Sequence, residues 1–469
     1  MKPISIQQIR QVVGAKPLDA IPATAPLVSS VCTDSRRMDP GSLFVALPGE
    51  HYDGHNYLRD AAGGGAVAAL VQRVPDVQLP NVHMLLVADT RKAMGKLARH
   101  VRQQMRSKVI AVAGSNGKTS TKHLIDSALN VSLRGSISPK SFNNDIGVPL
   151  TIFPADPLQD YLVLEVGTNH PGEIKNLTAI AQPDIAVITN CGPEHLEFLG
   201  DLLGVRRENA SIIEGLNPKG LLVINGDDPE LVDAVAAYPG KRITFGFSEN
   251  NDLFASDVQC DQTGVHFKLN GRTPVFVPLL GKHTASNALA AIAVARRLGL
   301  REEIILQGLA NAHGAEMRLQ LQTKNGITIL NDAYNANPAS MKAALETLQT
   351  LQRTGRAVAI LGDMRELGES SERFHREVGQ FAAAAKLDAL YCVGQLSELM
   401  ANAARQAGMA EKSILHFSDS HSAAKALAGA FAEGDVVLLK ASRAMQLERV
   451  AAAIGQGRAH GFFPKEATA

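Results

Sequence analysis

The run Lys108-Val-Ile-Ala-Val-Ala-Gly-Ser-Asn-Gly-Lys-Thr119 constrains the fold more than any other stretch of this chain. Lys108 to Ala113 is a short apolar run of the kind that forms a buried strand. A glycine loop follows at once, and a helical pattern runs from Ser120 to Asn130. Strand, glycine turn, Lys-Thr and helix together predict a cradle for nucleotide phosphates. Glycine lets backbone N–H groups turn toward an anion, and the helix N-terminus adds partial positive charge. Gly114, Ser115, Asn116, Gly117, Lys118, Thr119 and Ser120 are therefore the candidate ATP-binding residues. Lys118 is expected to reach the β- and γ-phosphates, and the Thr119 hydroxyl to bind Mg²⁺. One departure stands out. The common pattern places its first glycine five residues before Gly117, where this chain has Val112, so the loop is two residues shorter. The alternative reading is a glycine turn with no ligand, but Lys and Thr stand at the correct place after a clear strand.

The apolar runs Tyr161–Val166, Asp184–Thr189 and Gly220–Asn225 follow, separated by helical patterns. Strands alternating with helices predict a parallel, doubly wound sheet covered on both faces. Further on, Ala357–Leu361, Ala389–Val393 and Val436–Lys440 repeat this alternation and predict a second α/β unit. The first hundred residues hold short strand-like runs such as Ser42–Leu47 and end in a basic amphipathic stretch, Arg91 to Arg106. At 469 residues the chain suits about three domains, placed here at 1–106, 107–316 and 317–469. The expected fold class is α/β throughout.

Charge narrows the function classes. Lys plus Arg number 47 against 46 Asp plus Glu, so no global field favours nucleic acid or a membrane surface. An anion site must be local. The N-terminal residues lack the apolar core of a signal peptide, and no stretch approaches the ~20 apolar residues that span a bilayer. Cys32, Cys191, Cys260 and Cys392 are scattered without metal-type spacing, which fits free thiols in a reducing cytoplasm.

The shortened loop Gly114-Ser-Asn-Gly-Lys-Thr-Ser120 resembles the ATP loop of the Mur ligase family. The resemblance covers nearly the whole chain. Ser141-Phe-Asn-Asn-Asp-Ile-Gly-Val-Pro-Leu150, Glu165-Val-Gly-Thr-Asn-His-Pro-Gly-Glu173, Asn331-Asp-Ala-Tyr-Asn-Ala-Asn-Pro338 and Gly362-Asp-Met-Arg-Glu-Leu-Gly368 look like the branch that adds D-alanyl-D-alanine to UDP-N-acetylmuramoyl-tripeptide. Leu439-Lys-Ala-Ser-Arg443 is similar, with Ala441 where the family usually has Gly. Thr33-Asp-Ser-Arg36 and Phe44-Val-Ala-Leu-Pro-Gly49 resemble the family's UDP-binding domain. The Asp-Asn-Pro-Arg motif of the branch that adds the third amino acid is missing. The resemblance implies a UDP-sugar domain, a central P-loop ATPase domain and a C-terminal Rossmann-like ligase domain. It implies a monomeric cytoplasmic ligase that uses ATP and Mg²⁺, with the UDP-sugar tripeptide and D-alanyl-D-alanine as substrates.

The resemblance also assigns roles. Glu165 and His195 become metal-site residues with Thr119, and catalytic residues with Lys118 and Arg318. Read alone, Glu165 is as easily a solvated charge at a strand end, and His195 a helix cap or a core histidine. Asn287 would contact the adenine, with a helix N-cap as the plainer alternative. Arg318 would reach the γ-phosphate, although Asn311-Ala-His-Gly-Ala-Glu-Met-Arg318 departs from the usual Pro-x-x-Gly-Arg. Asp332 would hold the ribose, with Tyr334 and Asn335 beside the nucleotide. Ser35, Arg36, Asn143, Asn144, Asn169, His170, Lys440, Ser442 and Arg443 would face the substrates.

One position breaks the family pattern. Most members carry a carbamylated lysine on the helix after the metal histidine, and ungapped alignment puts Asn209 there. A unit charge ~5 Å from a dication is worth up to roughly 7 kcal/mol at an effective dielectric of ~20, so its loss calls for compensation. Either the neighbouring Glu208 supplies a metal carboxylate, or Glu208 is a solvated helix charge. Two rival functions are a folylpolyglutamate synthase, which usually lacks the first domain, and a nucleotide switch, which does not need the third. ATP contacts from both the second and third domains imply hinge closure around the ligand.

Overall fold

Three large sheets and a two-stranded pairing of Ile4–Ser5 with Leu27–Val28 divide the described residues, and the inner strands of the two largest lie where apolar runs of the sequence demand burial. The computed structural model describes residues 1–49 and 51–456. The last part of the expected third domain, 457–469, lies outside the described residues.

The central sheet has nine strands. Its order is Gly135–Ile137, Tyr161–Glu165, Lys108–Ala113, Ile185–Ile188, Leu221–Asn225, Lys241–Gly246, Leu253–Asp261, Gly264–Leu269 and Thr273–Val277. The first seven run parallel, and the four expected strands lie side by side among them. The last two pairings are antiparallel, an extension not anticipated from the sequence. Here one face is wet: Val265, Phe267 and Leu269 are buried while His266 and Lys268 are exposed. That period of two is what an antiparallel strand with one solvated face shows.

Helices cover both faces of the parallel part. Lys118–Leu129 packs with His283–Arg297 on one side, joining Leu124, Ile125, Ala288 and Ile292 in one core. On the other side, Thr90–Gln103 and Glu173–Ala181 share a core with Leu162 and Leu164. That core runs on into the N-terminal sheet through Val45, Leu70 and Leu97. The N-terminal sheet is Lys16–Pro17, His83–Leu86, Ala66–Val71, Ser42–Val45 and Ser30–Cys32. The third sheet is Gln320–Lys324, Ile327–Asn331, Val436–Lys440, Ala357–Gly362, Ala389–Val393 and Ile414–Phe417, parallel except for its first pair.

The helix Thr90–Gln103 is the basic stretch expected at the end of the first block, but one of its cations turns inward. Arg102 donates to Ala181 O at 2.9 Å, Gln182 O at 2.9 Å and Asp184 Oδ2 at 2.9 Å. Burial pulls its guanidinium below the ordinary value, opposed by Asp184. Asp184 also accepts from the Val109 amide at 3.1 Å, so the same ion pair fixes the edge of the loop strand. Charge-assisted hydrogen bonds are worth about 1.5–3 kcal/mol each, and without Arg102 the Asp184 carboxylate keeps only the more distant, exposed Lys108 ammonium at 3.7 Å. Arg102→Ala should therefore destabilise the protein by about 3 kcal/mol in denaturant unfolding; a loss below about 0.5 kcal/mol would show that the contact fixes nothing.

Candidate active site

The phosphate loop lies at the carboxyl end of the parallel strands, where open α/β sheets bind their ligands. Two of its glycines are required by geometry. Gly114 has φ of 127°, and a Cβ there would stand 2.1 Å from Thr189 Oγ1. Gly117 has φ of 81°, and a Cβ there would stand 2.7 Å from Asn287 Oδ1. Asn287 thus packs directly on the loop. It is buried, and its Nδ2 has no partner. It is not a helix cap, because its helix starts at His283 and is capped by Lys282. A buried amide without an acceptor costs free energy, so this N–H fits an acceptor atom of a ligand held in the loop.

At the foot of the loop, Thr119 Oγ1 donates to Glu165 Oε2 at 2.9 Å. Glu165 is only 1% exposed, which excludes the solvated reading. Its other oxygen accepts from Asn143 Nδ2 at 3.1 Å, and its amide donates to Ser138 Oγ at 2.9 Å. Sequence reasoning missed the residue that balances this charge. Lys122, one turn beyond Lys118 and fully buried, stands 3.4 Å from Glu165 Oε2. Its ammonium also donates to Ser138 O at 2.8 Å and Lys140 O at 2.5 Å. Burial lowers the Lys122 pKa while Glu165 opposes that shift. Burial and the Lys122 charge also bring the neighbouring His123 down to about 4, so it is neutral at pH 7. A hydroxyl and a carboxylate at hydrogen-bond distance are hard oxygen donors of the kind that suit Mg²⁺, which keeps several waters.

Lys118 donates to Gly114 O at 2.5 Å and Ser115 O at 3.4 Å, and lies 3.8 Å from Glu194 Oε2. The other oxygen of Glu194 is buried and has no partner. Asn116 reaches the third domain: its Oδ1 accepts from Asn337 Nδ2 at 2.8 Å. Ser115 is buried and bonded to Gly192, and Ser120 is half-buried on the helix after the loop.

His195 has left-handed backbone, φ 49°, and its Nδ1 is hydrogen-bonded to Glu366 of the third domain. A cleft of about 880 Å³ lies between the two domains there. Of the expected residues, Asn169, His195, Tyr334, Asn335, Ser442 and Arg443 line it, joined by Glu194, Arg365 and Glu366. Arg318 stacks on Tyr334, its Cζ 4.3 Å from the ring centroid, between two left-handed residues, Met317 and Leu319.

Several expected residues are placed elsewhere. Lys440 is buried and donates to Asp332 Oδ2 at 2.6 Å and Asn335 O at 2.9 Å, so it braces the nucleotide-side loop and does not line the cleft. Asp332 Oδ1 accepts from the Leu319 amide at 3.1 Å. Asn144 caps the turn at Ile146 and Gly147, and His170 packs at a tilt against Phe198 with ring centroids 4.4 Å apart. Arg36 is paired with Asp34 at 2.8 Å in the N-terminal domain, next to Ser35, and this pairing holds the Asp34 carboxyl down at about 2.

Glu208 is buried, so it is not the solvated helix charge that one expectation allowed. Its oxygens accept from Gly172 N at 2.7 Å, Ile174 N at 2.8 Å and Thr168 Oγ1 at 3.2 Å. It caps the helix Glu173–Ala181 from a neighbouring helix. Asn209 is buried beside it and donates to Val205 O at 3.0 Å. Among the described residues, no three His, Cys, Asp or Glu side chains gather as a metal cluster.

Three family models match the chain. "Mur ligase family, catalytic domain" matches residues 27–102, "Mur ligase middle domain" 112–295, and "Mur ligase, glutamate ligase domain" 317–443. The UDP-N-acetylmuramoyl-tripeptide--D-alanyl-D-alanine ligase of Bacillus subtilis (strain 168) is 37% identical over 426 residues, covering 90% of this chain and 92% of its own length. Among solved structures, crystal structure I of MurF from Acinetobacter baumannii superposes with a TM-score of 0.87 at 32% identity, covering 97% of this chain and 100% of that one. MurF ligase from Thermotoga maritima in complex with ADP superposes with a TM-score of 0.81 at 30% identity, covering 92% and 97%. The phosphate loop, the domain order and the likeness along nine-tenths of its length show that this chain belongs to the Mur ligase family.

Proposed function

We propose that this chain is the ATP-dependent ligase that joins D-alanyl-D-alanine to UDP-N-acetylmuramoyl-tripeptide, giving the pentapeptide, ADP and phosphate. The named activity of the Bacillus subtilis relative supports the substrates. The observation in the molecule that carries the reading is the meeting of Thr119 and buried Glu165 under a phosphate loop that touches the third domain through Asn116 and Asn337. We assign residues 1–106 to the UDP-sugar, 107–316 to ATP and the remainder from 317 to the ligase step. No helix among the described residues is long and apolar enough to cross a membrane, which fits a cytoplasmic place for the reaction.

A carboxylate is a poor electrophile. The tripeptide carboxylate oxygen bonds to the γ-phosphorus and ADP leaves. The dipeptide amine then bonds to the acyl carbon, phosphate leaves, and the amine gives up a proton. The protein's share is positioning and neutralisation of charge. Lys118 lies over the loop to meet the β- and γ-phosphates. Arg318, steadied on Tyr334, brings a cation from the third domain. The unpaired Asn287 N–H takes an acceptor of the nucleotide. Thr119 and Glu165 would hold Mg²⁺, which would neutralise phosphate charge there. His195 stands at the cleft, and Glu208 keeps to its helix cap.

Phosphate release should appear only when ATP, UDP-N-acetylmuramoyl-tripeptide and D-alanyl-D-alanine are all present. Turnover indifferent to omission of either peptide substrate would refute the ligase. Lys118→Ala should slow that release by about a thousandfold, the scale of losing a transition-state charge clamp; near-normal rates would remove Lys118 from the site. Asn287→Ala should raise the KM for ATP about tenfold, one hydrogen bond's worth, while leaving the melting temperature almost unchanged because no protein contact of its Nδ2 is lost. An unaltered KM would leave that amide without a ligand.

A further inference from the structure

The wall of the cleft formed by residues 364–368 is held from two sides. His375 is fully buried on the helix Ser371–Ala384. The Met364 amide donates to His375 Nε2 at 3.0 Å, and His375 Nδ1 lies 2.7 Å from Ser371 O. A backbone N–H can only donate, so Nε2 is unprotonated and Nδ1 carries the hydrogen. Burial favours this neutral imidazole. From the other side, the Arg365 amide donates to Ser442 Oγ at 2.9 Å, and the Ser442 amide to Asp363 O at 3.1 Å.

Two consecutive amides are therefore pinned just before Glu366, and Glu366 needs them. It is a non-glycine residue at φ 63°, a strained conformation that persists only where its surroundings impose it. In that conformation its carboxylate reaches His195 of the middle domain, and its carbonyl accepts from the Glu197 amide at 3.4 Å.

We infer that His375 is a positioning residue for the ligase reaction: by holding the Met364 amide it presents Glu366 to His195 and so latches the third domain onto the middle one. Ser442 is the second jaw of this clamp. The inference rests on the ligase reading in that turnover reports closure.

The test measures phosphate release with all substrates for wild type, Glu366→Ala, His375→Asn, His375→Gln and the Glu366→Ala/His375→Asn double variant. Glu366→Ala and His375→Asn should each lower kcat about tenfold with the KM for ATP unchanged, the size of one hydrogen bond. The double variant should be no slower than Glu366→Ala alone, because both changes break one chain of contacts. The Gln side chain extends its amide oxygen toward the place of Nε2, so His375→Gln should stay within about twofold of wild type. A merely structural histidine would give independent losses, about a hundredfold in the double variant, and no rescue by Gln; either result overturns the latch. Should wild type itself show no dipeptide-dependent turnover, the ligase reading fails by itself. The latch is then read from a label pair spanning the cleft: His375→Asn and Glu366→Ala should widen the distance equally, and distances equal to wild type would overturn it.

Discussion

A carboxylate that is 1% exposed governs the arrangement of this active site. Glu165 ends a buried strand next to the edge strand of the sheet, and removing it from water would cost several kcal/mol without partners. Those partners are Thr119 and Lys122 from the helix after the loop and Asn143 from the crossing segment, while Ser138 of that segment takes the Glu165 backbone amide. Lys122 is the pivot. Its ammonium faces Glu165 and also gathers the carbonyls of Ser138 and Lys140. One buried cation thereby fixes the phosphate helix against the segment that carries Asn143. Repulsion between Lys122 and a second nearby proton is avoided because His123 stays neutral.

Polar contacts join the middle and third domains across the cleft: Asn116 with Asn337, His195 with Glu366 and Glu197 with Glu366. Leu196 and Leu280 of the middle domain add apolar packing against the core of the third. Hydrogen bonds of this kind net about 1 kcal/mol each, so each can break and re-form as the domains move. The third domain's own geometry is stiffer. Lys440 locks Asp332 and Asn335, and Asp332 locks the left-handed Leu319. Arg318 is therefore delivered by a braced loop when the domains meet.

The sequence carried the parts of this design that are local. A strand, a loop and a helix are contiguous, so residues 108–130 could be read directly, and apolar runs marked the inner strands of both large sheets. The antiparallel strands 264–269 and 273–277 were missed although they alternate and are joined across Asn270-Gly271, whose left-handed backbone makes a tight hairpin turn. Long-range partnerships had no local signal. A lysine on a helix reads as a solvated charge, and nothing near Lys122 in the chain announces Glu165, 43 positions away. Lys440 was read as facing the cleft because it follows a strand, yet strand ends have two sides and Asp332 draws it inward.

Glu208 shows how a buried carboxylate can organise the wall of a site through backbone contacts. A helix of nine residues, Glu173–Ala181, begins with N–H groups that have no partner within the helix. Glu208 accepts from two amides at this end, and negative charge there is also favoured by the helix dipole. It further accepts from Thr168, whose hydroxyl is 2.9 Å from His170 O. The turn between Thr168 and Gly172 is thus anchored from outside, and Asn169 of that turn lines the cleft. Asn209 fits this arrangement better than lysine would. It is neutral, buried and satisfied by Val205 O, whereas a carbamylated lysine in its place would put a second negative charge next to the buried carboxylate of Glu208. The departure from the family pattern at 208–209 therefore shapes the cleft wall by capping a helix.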